Sequence, residues 1–171
     1  MRFALALATV IGIAAPARAQ SFSGPGTDGA RGMDKGTFGV GIIVGEPVGV
    51  TAKLYLTDDR AIQAAVGSAF IGGGLQLHGD YVFHPYILQS RDSFVLPVYV
   101  GPGVRLIDYN TGRDQSAFAL GVRGVAGLLF DFKAVPLDVF FEIAPVLEYK
   151  FSSGAGFQLS LNVGAGIRYY F

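Results

Sequence analysis

From Phe157 to the end of the chain, apolar and polar residues alternate. Phe157, Leu159, Leu161, Val163, Ala165, Ile167, Tyr169 and Phe171 share one face of an extended strand, and Gln158, Ser160, Asn162, Gly164, Gly166, Arg168 and Tyr170 share the other. The segment before it behaves the same way: Val139, Phe141, Ile143, Leu147, Tyr149 and Phe151 oppose Asp138, Glu142, Glu148 and Lys150. Further upstream the apolar rows are Phe38, Val40, Ile42 and Val44; Val48, Val50, Leu54 and Leu56; and Leu75, Leu77, Tyr81 and Phe83. Two longer rows follow, Phe94, Leu96, Val98, Val100, Val104 and Leu106, then Phe118, Leu120, Val122, Leu128 and Phe130. A period of two without any sustained period of 3.6 predicts strands throughout. Eight are expected, at about 37–44, 48–56, 61–70, 74–83, 93–107, 116–130, 137–151 and 157–171.

Turn-forming clusters separate them. Gly45-Glu46-Pro47 reads as a tight hairpin connection and Thr57-Asp58-Asp59-Arg60 as a polar turn, while His84–Asp92 reads as a longer connection in which His84, beside Pro85, is a turn residue. Ile71–Gly73, Asp108–Gln115 and Ser152–Gly156 are expected as the remaining loops of the opposite end. Pro97, Pro102 and Pro145 fall inside predicted strands, where each removes a ladder donor, so bulges are expected there.

No Asp, Glu, Lys or Arg lies on any of the apolar rows. The second face is not the charged exterior of a soluble barrel, because it is rich in small residues: Gly39, Gly41, Gly49, Thr51, Ala61, Ala65, Gly67, Ala69, Gly101, Gly103, Ala117, Ala119, Gly121, Gly164 and Gly166. Small side chains fit the crowded interior of a barrel of roughly eight strands. The expected fold is therefore all-β, a transmembrane antiparallel up-and-down barrel over residues 36–171, with its apolar rows facing lipid. Phe38, Phe70, Phe83, Phe94, Phe130, Tyr149, Phe151, Phe157, Tyr169 and Phe171 gather near strand ends, as interfacial aromatics do.

The beginning of the chain supplies a route to such a location. Met1 and Arg2 precede an apolar run from Phe3 to Ala15, and Ala17-Arg18-Ala19 offers small residues for cleavage before Gln20. This pattern describes a secretory signal over residues 1–19, followed by a Gly- and Ser-rich flexible leader over 20–35. Removing Arg2 and Arg18 leaves eleven basic against thirteen acidic residues, a balance that argues against nucleic acid as a partner. The chain has no cysteine, so neither disulfides nor thiolate metal sites contribute. Beyond the first segment no apolar run reaches the length of about 18 residues that a spanning helix needs, which leaves strands as the means of crossing a bilayer.

Ile167, Tyr169 and Phe171, at alternate positions and ending on a carboxy-terminal Phe, resemble the terminal assembly signal of bacterial outer-membrane barrels. From about Gly36 to Phe171 the plan resembles the small eight-stranded group that includes the transmembrane domain of outer-membrane protein A. The stretch GVGIIVGEPVGVTAK, Gly39 to Lys53, is similar to the first hairpin of other small outer-membrane proteins. The resemblance implies an outer-membrane location, delivery by the barrel-assembly machinery and lipid as the surrounding partner. It implies an architecture and carries no activity with it.

The inward face is expected to collect Lys53, Arg105, Arg123, Lys150 and Arg168 against Asp80, Asp138, Glu142 and Glu148, with Gln63, His78, Tyr99 and Asn162 among them. In a narrow lumen such charges must pair, so the expected role is a structural plug of ion pairs. A gated ion path through the same pairs would make the protein a narrow, porin-like pore or a ligand-sensing channel. A lipid-modifying enzyme would use His78 as a base with Asp80 or a nearby Ser, yet both residues point away from lipid. A soluble periplasmic, lipocalin-like barrel is the remaining alternative. The chain has no nucleophile elbow, phosphate loop or zinc-ligand spacing, and GIIVGEPVG and FIGGGLQL do not stand between a strand and a helix; no enzyme activity, cofactor or metal is expected. Mass spectrometry of the purified membrane form is expected to give a chain beginning at Gln20; an intact Met1 terminus would overturn the export expectation.

Overall fold

A computed structural model describes residues 35–69, 74–111, 115–151 and 155–171. The expected signal segment, nearly all of the leader, Phe70, and most of the loops expected at 71–73 and 152–156 lie outside the described residues. Eight strands follow one another: β1 (Phe38–Gly45), β2 (Val48–Tyr55), β3 (Arg60–Ser68), β4 (Leu75–Ser90), β5 (Phe94–Thr111), β6 (Gln115–Phe132), β7 (Leu137–Phe151) and β8 (Gly156–Tyr170). Each pairs antiparallel with the next, and β8 pairs with β1, so the sheet is a closed barrel with no free edge along its wall. The start of β1, the end of β8, the Leu56–Asp59 turn and the connections at 91–93 and 133–136 share one rim, called here the terminal rim; the β1–β2 hairpin lies at the opposite, distal rim.

Closure depends on stagger. Tracing ladder partners from Gly39 through Lys53, Gln63, Asp80, Gly103, Arg123 and Val146 ends on Ser160 of β8, ten residues short of Tyr170, the β8 residue that pairs with Gly39. A stagger of that kind tilts the strands against the barrel axis and leaves an interior just wide enough for side chains. Alternation holds along β1, along β7 and in β4 as far as His84. Val40, Ile42 and Val44 point outward while Gly39 and Ile43 are buried, and in β7 the buried positions run Asp138, Phe140, Glu142, Ala144, Val146 and Glu148.

The strands differ from expectation mainly at the terminal rim. β4 was expected to stop at 83 and continues to Ser90, so the connection is reduced to Arg91, Asp92 and Ser93. Its extension follows from local pairing: the backbone N–H of His84 donates to the Asp59 carbonyl at 2.8 Å, and the next residues pair with β5. The bulges expected at the three prolines are likewise relocated. Register runs unbroken across Pro97 and Pro102 in the β5–β6 ladder and across Pro145 in the β7–β8 ladder. Both irregularities fall in the β4–β5 ladder, between Phe83 and Tyr86 and between Ile87 and Gln89. A proline removes a donor without adding a residue, so the surplus residues accumulate on the partner strand, which beyond His84 has no β3 residue beside it and is free to buckle. Parity in β5 is consequently undisturbed, with Tyr99, Gly101, Gly103 and Arg105 on one face and Pro102 on the other.

At the β2–β3 turn the Thr57 hydroxyl donates to the Asp59 carboxylate at 2.7 Å, and this bond holds the carboxyl below the usual Asp range. Close approach requires several glycines in the barrel: a Cβ at Gly41 would stand 1.8 Å from the Ile167 carbonyl oxygen, and one at Gly39 2.7 Å from the ring of Tyr170, both on the neighbouring strand. Gly39→Val is therefore expected to destabilise the barrel by about 1–3 kcal/mol through overpacking, whereas Val40→Ala, on the outward face, should cost less; denaturant titration in detergent or liposomes ranks the two.

Candidate functional site

The lumen holds all ten polar residues singled out from the sequence. Lys53, His78, Asp80, Arg105, Arg123, Asp138, Glu142, Glu148 and Arg168 are buried, and Lys150 is half-buried at the distal side. Strand parity delivers them, because each lies on the inward row of its strand. Four groupings then form along the axis.

At the centre, Arg123 from β6 makes ion pairs with Asp80 of β4 through Nε at 3.0 Å and with Glu142 of β7 through Nη2 at 3.0 Å. The Gln63 amide from β3 donates to Asp80 at 3.1 Å and to Glu142 at 3.0 Å, and the Tyr99 hydroxyl from β5 donates to Glu142 at 2.9 Å. Five strands are tied in one knot. Toward the terminal rim, Arg168 lies over the Phe140 ring and pairs with Asp138 at 3.0 Å, and the same carboxylate accepts from the Tyr170 hydroxyl at 2.5 Å. Lys35, just before β1, completes this end by pairing with Asp131 and donating to the Leu137 carbonyl at 2.6 Å.

Toward the distal rim, Arg105 pairs with Glu148 at 3.0 Å and donates to Ser160 and to Gln76, each at 2.9 Å; Tyr109 donates to Glu148 at 2.7 Å. Lys150 stands over the Tyr109 ring, 4.5 Å from its centre. Glu46 closes the distal side: its carboxylate lies 3.6 Å from Arg105, its carbonyl accepts from Asn162 at 3.1 Å, and its N–H donates to Val163 at 2.9 Å. The fourth grouping is Lys53, whose ammonium meets His84 Nε2 at 2.9 Å and the rings of Tyr55 and Tyr99 at 4.8 and 5.0 Å.

Sequence reasoning placed Glu46 and His84 in turns, and both are buried lumen residues. For His84 the signal was its even position, shared with His78 and Asp80, but Pro85 masked it. Gln76 and Asp131 had the same inward parity as His78 and Arg123 and were passed over; Glu46 had no signal, since a hairpin residue carries no strand parity. Ile167, Tyr169 and Phe171 lie on the outer surface, with the rings of Tyr169 and Phe171 5.0 Å apart and edge to face.

His78, Asp80 and Glu142 bring three ligand atoms within 4.8 Å of one another, a span suited to a metal ion. The donor set does not fit one. All four carboxylate oxygens already face Arg123, Gln63 or Tyr99, so a divalent cation would have to displace a guanidinium from its two counter-ions. Nor does His78 form the pair with Asp80 that acid–base chemistry would use. Its nearest polar contacts are Gln76 Nε2 at 3.5 Å and Glu142 at 3.9 Å. The arrangement cross-links the wall and fills the interior.

No protein-family model, no curated protein and no solved structure matches the chain. Arg123→Ala is expected to cost about 3–5 kcal/mol of folding stability, since it leaves Asp80 and Glu142 buried without their cation. Lys150→Ala, which loses a half-exposed cation–ring contact, should cost about 1 kcal/mol or less; unfolding curves of the two variants measure the difference.

Proposed function

We propose that this protein is a bacterial outer-membrane β-barrel of the small eight-stranded kind, with a structural or interaction role, no enzymatic activity, and a lumen held shut by ion pairs. The observation that carries the reading is the inversion of the barrel. Thirty-four large apolar side chains are exposed among the described residues, twice the seventeen apolar side chains that are buried, while ten charged residues and both histidines are buried among them. A water-soluble protein exposes contiguous apolar patches of at most a few hundred Å². Here the apolar surface continues from strand to strand around the wall, as hydrocarbon requires.

Closure supports the same reading, because a spanning sheet must leave no backbone group unpaired in lipid. Aromatic contacts lie at both ends of the outer surface: Tyr149 with Phe151 and Phe157 distally, and Phe94 with Phe130 and Tyr169 with Phe171 near the terminal rim. These suit two headgroup boundaries. The signal-like segment at 1–19 and the terminal Ile167, Tyr169 and Phe171 fit export and delivery to the barrel-assembly machinery. An enzymatic role finds no support in the lumen, where both histidines are packed away from the lipid-facing surface.

Sodium carbonate extraction with heat-modifiable migration tests the location: the folded protein should stay in the membrane fraction and shift on boiling, and release into the wash would favour a soluble barrel. The faces are tested by substitution. Val104 and Val163 are outward residues near the middles of β5 and β8, and an arginine at either is expected to destabilise the barrel by about 2–4 kcal/mol in a bilayer. Arginines tolerated at both positions would turn the barrel inside out relative to this reading.

A further inference from the structure

We infer that the Lys53–His84 contact is a proton-operated latch, which keeps the terminal half of the lumen shut while His84 is neutral and releases it when His84 is protonated. The inference rests on the proposed membrane barrel and adds a regulated opening to it.

Three features of the contact carry the inference. First, Lys53 is fully buried, and among the described residues no carboxylate lies within ion-pair distance of its ammonium. The other fully enclosed cations, Arg105, Arg123 and Arg168, each touch one. Its hydrogen-bond acceptor is the imidazole of His84. Second, the hydrogen bonds of His84 fix its tautomer. Nδ1 lies 3.2 Å from the Asp59 carbonyl, which can only accept, so Nδ1 carries the hydrogen and Nε2 presents its lone pair to Lys53. An imidazolium has no lone pair at Nε2, so protonation turns an acceptor 2.9 Å from an ammonium into a second cation. Third, the contact fills the space between two rings. The Lys53 ammonium sits between the rings of Tyr55 from β2 and Tyr99 from β5, and His84 stacks on Tyr55 and tilts against Tyr99.

The surrounding charges favour release over rearrangement in place. Arg168 from β8 acts on both Lys53 and His84, and Asp138 and Glu142 of β7 and Asp131 of β6 attract Lys53 from farther along the lumen. Asp59, on the β2–β3 turn, is the nearby acidic residue that acts on His84. Although Asp138 and Glu142 pair with Arg168 and Arg123, both also attract Lys53, so a displaced ammonium is drawn along the lumen toward them and the space between the two tyrosines empties. The wall can give at this point because β4 beyond His84 has no β3 residue beside it.

The test is the NMR-detected contact of Tyr55 and Tyr99 with water in the full-length barrel in lipid bilayers at pH 7 and in steps down to about pH 3, a range extended below the ordinary imidazole titration because an ammonium 2.9 Å from Nε2 opposes protonation. The wild type is expected to keep both rings dry at neutral pH and to admit water between them reversibly on acidification. His84→Gln, which offers an acceptor that does not titrate, and Lys53→Met, which removes the second cation, should each abolish the acid response; His78→Gln should keep it. Heat-modifiable migration certifies that each variant is folded, and either of the first two suffices. Nitrogen-15 NMR of the wild-type imidazoles in detergent supplies a check independent of any variant, with His84 expected as the neutral Nδ1–H tautomer at pH 7. An inserted wild type with no acid response, a response that survives in His84→Gln or Lys53→Met or is lost in His78→Gln, or a charged or Nε2–H imidazole at pH 7 overturns the latch. Failure of the wild type to enter a bilayer at all would instead overturn the membrane reading.

Discussion

Two carboxylates and one guanidinium near the middle of the lumen set the terms for the rest of the barrel. Asp80 and Glu142 are 3% and 4% exposed, values at which an unpaired carboxylate would cost several kcal/mol. Arg123 approaches each at 3.0 Å, and Gln63 and Tyr99 occupy the remaining oxygens. These five residues come from β3, β4, β5, β6 and β7, so their partners meet only when the strands are in one register. A shift of a single residue in any of them would send its polar side chain to the outer face and an apolar one into the knot. The small residues of the inner face follow from the same constraint, since guanidinium and phenol groups take up space that larger neighbours would fill.

This arrangement divides the labour between the two faces. The outer rows need only be apolar and approximately the right size, while the inner face must satisfy particular donors and acceptors. Buried polar groups of this kind confer uniqueness more than net stability, because their mutual attraction mostly offsets the cost of removing them from water. In this barrel they specify the stagger and leave adhesion to the wall's hydrogen bonds and its surroundings.

Much of the fold was legible because a period of two is a direct readout of strand geometry. Every apolar row read from the sequence, from Phe38 to Phe171, is an outward row, and the ten candidate lumen residues all face inward. The misreadings share a physical origin at strand ends, where local chemistry and long-range pairing compete. His84-Pro85 has the composition of a turn, yet the Asp59 carbonyl, twenty-five residues earlier, keeps His84 in the sheet. Pro97, Pro102 and Pro145 suggested irregularity in their own strands, and the ladder relocated it to β4. Glu46 and Lys35 lie outside the alternating segments, so no periodicity could point them toward Arg105 or Asp131. Pairing partners were also beyond reach: parity says which residues face inward, and only the stagger says which of them meet.

The β1–β2 hairpin illustrates how far a short connection can differ from a loop. Glu46 reaches back over the lumen, with its carboxylate toward Arg105, its carbonyl toward Asn162 and its N–H on Val163. In mechanical terms it is a stopper moulded onto its own bottle. Insertions that a surface loop absorbs at little cost would lift this segment off its seat and uncover the Arg105–Glu148 pair and Asn162 beneath it. The hairpin is therefore unsuited to carrying grafted peptides or to varying in length during divergence, and any change in its size would have to be matched by residues on the walls it now seals.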